Sequence, residues 1–335
     1  MERSTPIETT TPVRHDDNWQ PRPELLEAMH NIASIAADDD TAVISDRQII
    51  FANRAQRTSI TASEVDVVAV DGLRISERID IRTSLPKVFT DLTAQQIAFA
   101  NTFATTGAIV IDADGGGAAL VSSLPVFEVD TEALDDLYTQ MVANGALVQL
   151  LGPMAAAEYL AESSPTEPCD IGIPAWDWPS LWGEREFVYA ANIMRRAGIY
   201  CNAGESGLTA EFPWEEGASS AMLGDRTSLM RFQTDMPHPV AGNGLFFKLD
   251  LPVTLEREQL AECANYLNVF EANGIDTPPF FGAWCSQLDN RMLSYAGFWP
   301  NCMYKNGTVA NIASWCKLRS QIARQAIGNK PAGSN

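Results

Sequence analysis

The sequence predicts an α+β protein built as two tandem sheet domains, and three observations carry that reading. Runs of alternating polarity, cut by tight turns, recur in both halves of the chain. Each half opens and closes with apolar residues at helical spacing. A Pro- and Trp-rich stretch, 152–183, separates the two. The domain reading is an arm over 1–22, a domain over 23–151, the linker 152–183, a domain over 184–328 and a tail over 329–335. A chain of 335 residues gives each domain enough material for its own core.

The arm is polar and Thr/Pro-rich, with no apolar core of a signal peptide, so it is expected to be disordered on a cytoplasmic protein. Pro23 opens a helix whose positions Leu25, Leu26, Met29, Ile32, Ala33 and Ala36 share one face. Strands follow at Thr41–Ser45, Gln48–Ala52, Val65–Val70 and Leu73–Ile81, the last two turning at Asp71-Gly72. Thr93 caps a helix over 94–105 that Gly107 stops. Ala108–Ile111 and Ala118–Leu124 make a hairpin, and a third helix runs from Asp130 or Thr131 to Ala143.

In the linker, Trp176, Trp178 and Trp182 are too apolar for a solvated tether, so they are expected to pin it into a groove between the domains. The second domain repeats the order. It has a helix over 184–197, strands Ile199–Asn202 and Leu208–Phe212, and a hairpin over 227–251. A helix over 255–272, strands Phe280–Gln287 and Met292–Phe298, and a helix from Val309 to Ile327 complete it. Within that hairpin, Pro237 and Pro239 force a turn, and Gly242 and Gly244 flank Asn243.

Charge and residue counts exclude several functions. A net charge of -20 repels phosphate backbones and anionic lipid, so neither nucleic acid nor a membrane is an expected partner. No apolar run reaches bilayer length. The six cysteines show no CxxC spacing, and three histidines cannot complete a usual zinc site, so no metal or other cofactor is expected. The thiols are expected to be reduced and buried. Gly204-Glu205-Ser206-Gly207 lacks the second glycine of a hydrolase elbow, since Leu208 stands there. Asp112-Ala113-Asp114 begins like a calcium loop but has Ser123 where the twelfth-position carboxylate belongs.

Two groups of residues remain as candidate binding positions. Asp235, His238 and Asn243, with Asn301 nearby in the plan, could serve a small-molecule enzyme or sensor through a titratable imidazole. Aromatic residues crowd the last third: Phe280, Phe281, Trp284, Phe298 and Trp299. Neighbours on a strand point to opposite faces, so one member of each adjacent pair lies off the core unless both faces are covered. Such rings form either a seam between the domains or a groove for a polypeptide.

An α-β-β-β-α-β-β-α unit resembles the type III secretion chaperone-like fold, which the bacterial YbjN-like proteins share. The stretch His238-Pro239-Val240-Ala241-Gly242-Asn243-Gly244-Leu245 adds to the likeness. That resemblance spans roughly 24–150 and 184–327 and implies paired domains that hold a client polypeptide, with no enzymatic residue to carry over. On it, the expected function is a non-enzymatic chaperone-like or adaptor protein, monomeric as a covalent pseudo-dimer or homodimeric. The alternatives are the small-molecule site above and a self-assembling structural protein.

Overall fold

The computed structural model describes residues 19–37, 42–53, 56–103, 105–111, 117–128, 145–146, 178–213, 227–238, 241–253, 255–273, 279, 281–286 and 292–328. In the first half, α1 (Pro23–Ala36) leads into four strands, β1 (Val43–Ile44), β2 (Gln48–Asn53), β3 (Gln56–Val68) and β4 (Arg74–Ser84). Then come α2 (Ala94–Ala100), β5 (Ala108–Ile111) and β6 (Ala118–Glu128). The second half runs α3 (Glu184–Arg196), β7 (Tyr200–Ala203), β8 (Gly207–Pro213), β9 (Thr227–Gln233) and β10 (Gly244–Leu251). It ends with α4 (Arg257–Asn273), β11 (Ala283–Cys285), β12 (Leu293–Pro300) and α5 (Thr308–Gly328).

Both sheets are antiparallel and six-stranded. Their orders are β1-β2-β3-β4-β6-β5 and β7-β8-β9-β10-β12-β11, the same path with every label raised by six. The α+β class and the tandem sheets are therefore as the sequence predicts. Four strands, not three, precede the middle helix of each half. The helix expected over 130–143 and the tail 329–335 lie outside the described residues.

Local chemistry accounts for the elements and their ends. The β4 side chains alternate, with Ile75, Ile79 and Ile81 buried against Ser76, Arg78, Asp80 and Arg82 on the other face. Strand β3 starts at Gln56, well before Val65, because its polar residues alternate with the buried Thr58, Ile60 and Ala62. Thr93 and Gln96 close a reciprocal capping box on α2. That helix stops at Ala100, because the Asn101 side chain binds the backbone of β5 instead of facing solvent. Part of the expected arm is held down: Arg22 pairs with the buried Glu77 at 2.7 Å, and Arg47 lies over the Trp19 ring.

The halves meet through equivalent parts. Helices α2 and α4 pack on each other, α4 also touches β5 and β6, and α2 touches β11. The Asn265 side chain donates to the Ala94 carbonyl at 3.3 Å, and the Ser286 and Phe298 amides donate to Ala98 and Thr105 at 3.4 and 2.9 Å. Reciprocal contacts between like elements are the pattern of an isologous dimer, here written into one chain.

Candidate functional site

The hairpin turn at Asp71 is a plug in the second half. Its carboxylate Oδ2 accepts from Lys305 Nζ and from Asn311 Nδ2 at 3.0 Å, and its amide donates to Asn311 Oδ1 at 3.3 Å. Lys305 also donates to the Asn306 carbonyl and sits 4.3 Å from the centre of the Phe127 ring. Gly307 takes φ +83° beside this cluster, and a Cβ there would stand 2.8 Å from Asp71 Oδ2. Its amide donates to Glu186 Oε2 at 3.0 Å. Burial pulls Lys305 below its ordinary value, with Asp71 and Glu186 opposing. Burial likewise raises Glu186, opposed by the Gly307 amide and Lys305. The cluster is a charged joint between the halves.

A second buried pair lies inside the C-terminal half. Arg319 Nε meets Glu271 Oε2 at 2.8 Å with both side chains sealed from solvent. Trp284 Nε1 donates to Glu271 Oε1, Arg319 donates to the Pro279 carbonyl, and the guanidinium lies over Phe281 and Tyr295. Burial raises Glu271, and Arg319 opposes the rise.

Those contacts place most of the aromatic candidates. Phe281, Trp284, Phe298 and Trp299 are all buried, and Phe280 lies outside the described residues. Phe298 and Trp299 do point to opposite faces. Trp299 meets Phe281 edge-on at 5.6 Å in the helix-covered core, while Phe298 packs with Ala241, Phe246 and Cys302 beneath His238. Both faces of β12 are covered, and the Phe298 amide is bonded to Thr105 of the other half. These rings fill the core and the seam, leaving no ring of the four presented to solvent as the groove reading needs.

The 234–243 turn is closed on itself. His238 and Gly242 exchange two backbone hydrogen bonds, and His238 Nδ1 accepts from the Ala241 amide at 3.0 Å. The imidazole is 5.2 Å from the Phe298 ring, and Asp235 is exposed. Asn243 uses its carbonyl to accept from the Asn301 amide. The Asn301 side chain fastens the end of the linker, donating to Trp178 and Pro179 carbonyls and accepting from the Leu181 amide. Trp182 is buried edge-on to Tyr304, whereas Trp178 is exposed and Trp176 lies outside the described residues. Asn243, His238 and Asn301 are thus gathered at one end of the sheet and engaged in holding backbone.

Among the described residues, no strand covers the outer edge of the C-terminal sheet, where β7 pairs only with β8. The Gly204 amide bonds the Gly207 carbonyl, so by antiparallel alternation the Cys201 peptide groups face the free edge. Arg195 of α3 donates to the Cys201 carbonyl at 3.0 Å, and Cys201 Sγ donates to the Ala191 carbonyl. Around this edge, Val188, Tyr189 and Tyr200 are 43%, 44% and 66% exposed.

Sequence reasoning missed Asp71, Lys305, Glu186 and Asn311, because Asp71-Gly72 already had a sufficient explanation as a turn. The one available signal was the scarcity of lysine, which makes Lys305 between Tyr304 and Asn306-Gly307 unusual in this chain. No helix among the described residues is long and apolar enough to cross a membrane, and no cluster there could hold a metal ion. Comparison with protein-family models, curated proteins and solved structures finds no match to this chain.

Proposed function

We propose that this chain is a non-enzymatic polypeptide-binding protein of chaperone or adaptor type, and that its partner seats along α3 and β7. The observation that carries the reading is that β7 pairs with β8 alone among the described residues, with exposed Val188 and Tyr189 on the helix covering one face and exposed Tyr200 on the other face of that strand. Exposed edges accept a further strand, and aromatic side chains beside them supply the pockets or platforms that select it. The fold itself supports the same reading. The two like domains pack through equivalent helices, and the inner stripe of α3 (Phe187, Ala190, Ala191, Met194) holds its outer stripe in place.

The test is capture of partners from the cell's own lysate on immobilised protein, with a Tyr189→Ser, Tyr200→Ser variant beside wild type. A Tyr266→Ser, Phe270→Ser variant serves as control, since that exposed pair stacks on itself on α4 at 6.2 Å. A polypeptide held by wild type and the control but lost from the first variant supports the reading. Recovery of the chain alone indicates self-assembly, and a partner indifferent to both variants removes α3 and β7 from the account.

A further inference from the structure

The duplication supplies an internal control for what the fold requires. Helices α1 and α3 occupy the same place in the two halves, and both bury a stripe against their own sheet: Leu25, Met29 and Ile32 in α1, Phe187, Ala191 and Met194 in α3. Their outward sides differ in kind. The exposed side of α1 carries Glu24, Glu27, His30, Asn31 and Ser34, with Ile35 near its end, and no arginine or aromatic residue. That of α3 carries Arg185, Arg195 and Arg196 around Val188 and Tyr189. Packing does not call for these residues, because α1 performs the same packing without them.

Resting on the polypeptide-binding reading, we propose that the segment taken at α3 and β7 is acidic, an extended stretch carrying Asp or Glu with an aliphatic or aromatic neighbour. In a chain with net charge -20, α3 carries three outward arginines against the single exposed acid Glu184 on its 13 residues, while Glu205 and Glu211 stand on the neighbouring β7–β8 hairpin. The arginines draw an acidic partner to the α3 side of the edge. Arg195 gives the docking a specific route. Its guanidinium occupies the carbonyl of Cys201 on the open edge. An incoming carboxylate takes the guanidinium in a charge-assisted pair, and an amide of the same incoming strand replaces it at the carbonyl. The exchange leaves every polar group partnered, whereas a neutral strand would displace Arg195 from the Cys201 carbonyl without offering the guanidinium a carboxylate.

The experiment titrates the full-length protein with three fluorescently labelled peptides of equal length, alternating Val/Tyr with Glu, with Gln or with Lys, and reads anisotropy at low and moderate salt. The expected order is Glu-bearing first, with affinity falling as salt rises. Arg185→Glu, Arg196→Glu protein should bind the Glu peptide at least about tenfold more weakly. Glu24→Arg, Glu27→Arg protein, altered on the equivalent helix, should bind as wild type does. Circular dichroism confirms that each variant is folded, and Arg195→Lys, which keeps the charge but not the planar fork, gives an intermediate loss. Equal binding of the Gln and Glu peptides overturns the inference while leaving polypeptide binding intact. Binding of none of the three overturns both, and a loss shared by the α1 variant shows a bulk charge effect and overturns the inference alone.

Discussion

Asn101 and Asn268 make the same bond in the two halves. Asn101 Nδ2 donates to the Ile109 carbonyl at 3.0 Å while its Oδ1 accepts the Ile109 amide at 2.7 Å. Asn268 does the same to Trp284, at 2.8 and 2.7 Å. Ile109 and Trp284 are the second residues of β5 and β11, the end strands that face each other across the seam. A carboxamide offers a donor and an acceptor side by side, so it can pair an edge residue as another strand would. The two end strands are thereby finished by their middle helices.

Loss of either amide leaves two buried backbone groups unpaired. Asn101→Ala and Asn268→Ala should each lower stability by roughly 2–4 kcal/mol in urea denaturation. Comparable losses are expected because the two bonds are equivalent; a loss below about 0.5 kcal/mol in either would deny the role.

The Asp71 joint couples the halves. Asp71→Ala alone should cost about 3–5 kcal/mol, since it strands a buried ammonium. Adding Lys305→Met to it should restore at least about 1 kcal/mol, giving a coupling that a double-mutant cycle reads directly. Simple additivity of the two changes would mean that the contact carries no coupling.

Glu186 sets a pH dependence of known sign. Its folded-state pKa is raised above 4.5 by burial, so its contribution is complete below 4.5 and declines as pH rises through the folded value. Glu186→Gln keeps an acceptor for the Gly307 amide and removes that decline. The variant should melt higher than wild type near neutrality and converge with it near pH 4. Convergence at neutrality and divergence in acid would reverse the assignment.

Burial pushes the Cys285 and Cys316 thiols up to about 12, which keeps both protonated at neutral pH. Neither should be alkylated in the folded protein, and both should react once guanidinium unfolds it. Rapid labelling of Cys285 or Cys316 in the native state, read by peptide mass spectrometry, would contradict their placement.

Much of the fold was legible because its cues are local. Asp71-Gly72, the Pro-rich 236–239 turn, Thr93 and the alternation along Leu73–Ile81 each identify an element within a few residues. The repeat was legible too, but through element order and not wording. Ala100-Asn101 matches Ala191-Asn192 in sequence, yet the structural counterpart of Asn101 is Asn268. What could not be read is long-range. Asp71 and Lys305 are 234 residues apart, and only the packing of one half on the other joins them. The same holds for the rings of β11 and β12, because covering both faces of a strand depends on a neighbour that periodicity does not reveal.

The most direct measurement is a hydrogen-exchange footprint of the full-length protein with and without a captured partner or the acidic peptide. Added protection confined to residues 184–203, strongest at the Cys201 and Ala203 amides on the open edge, is the predicted result. Protection at the 234–243 turn or along β12, with none on α3 and β7, would contradict the account.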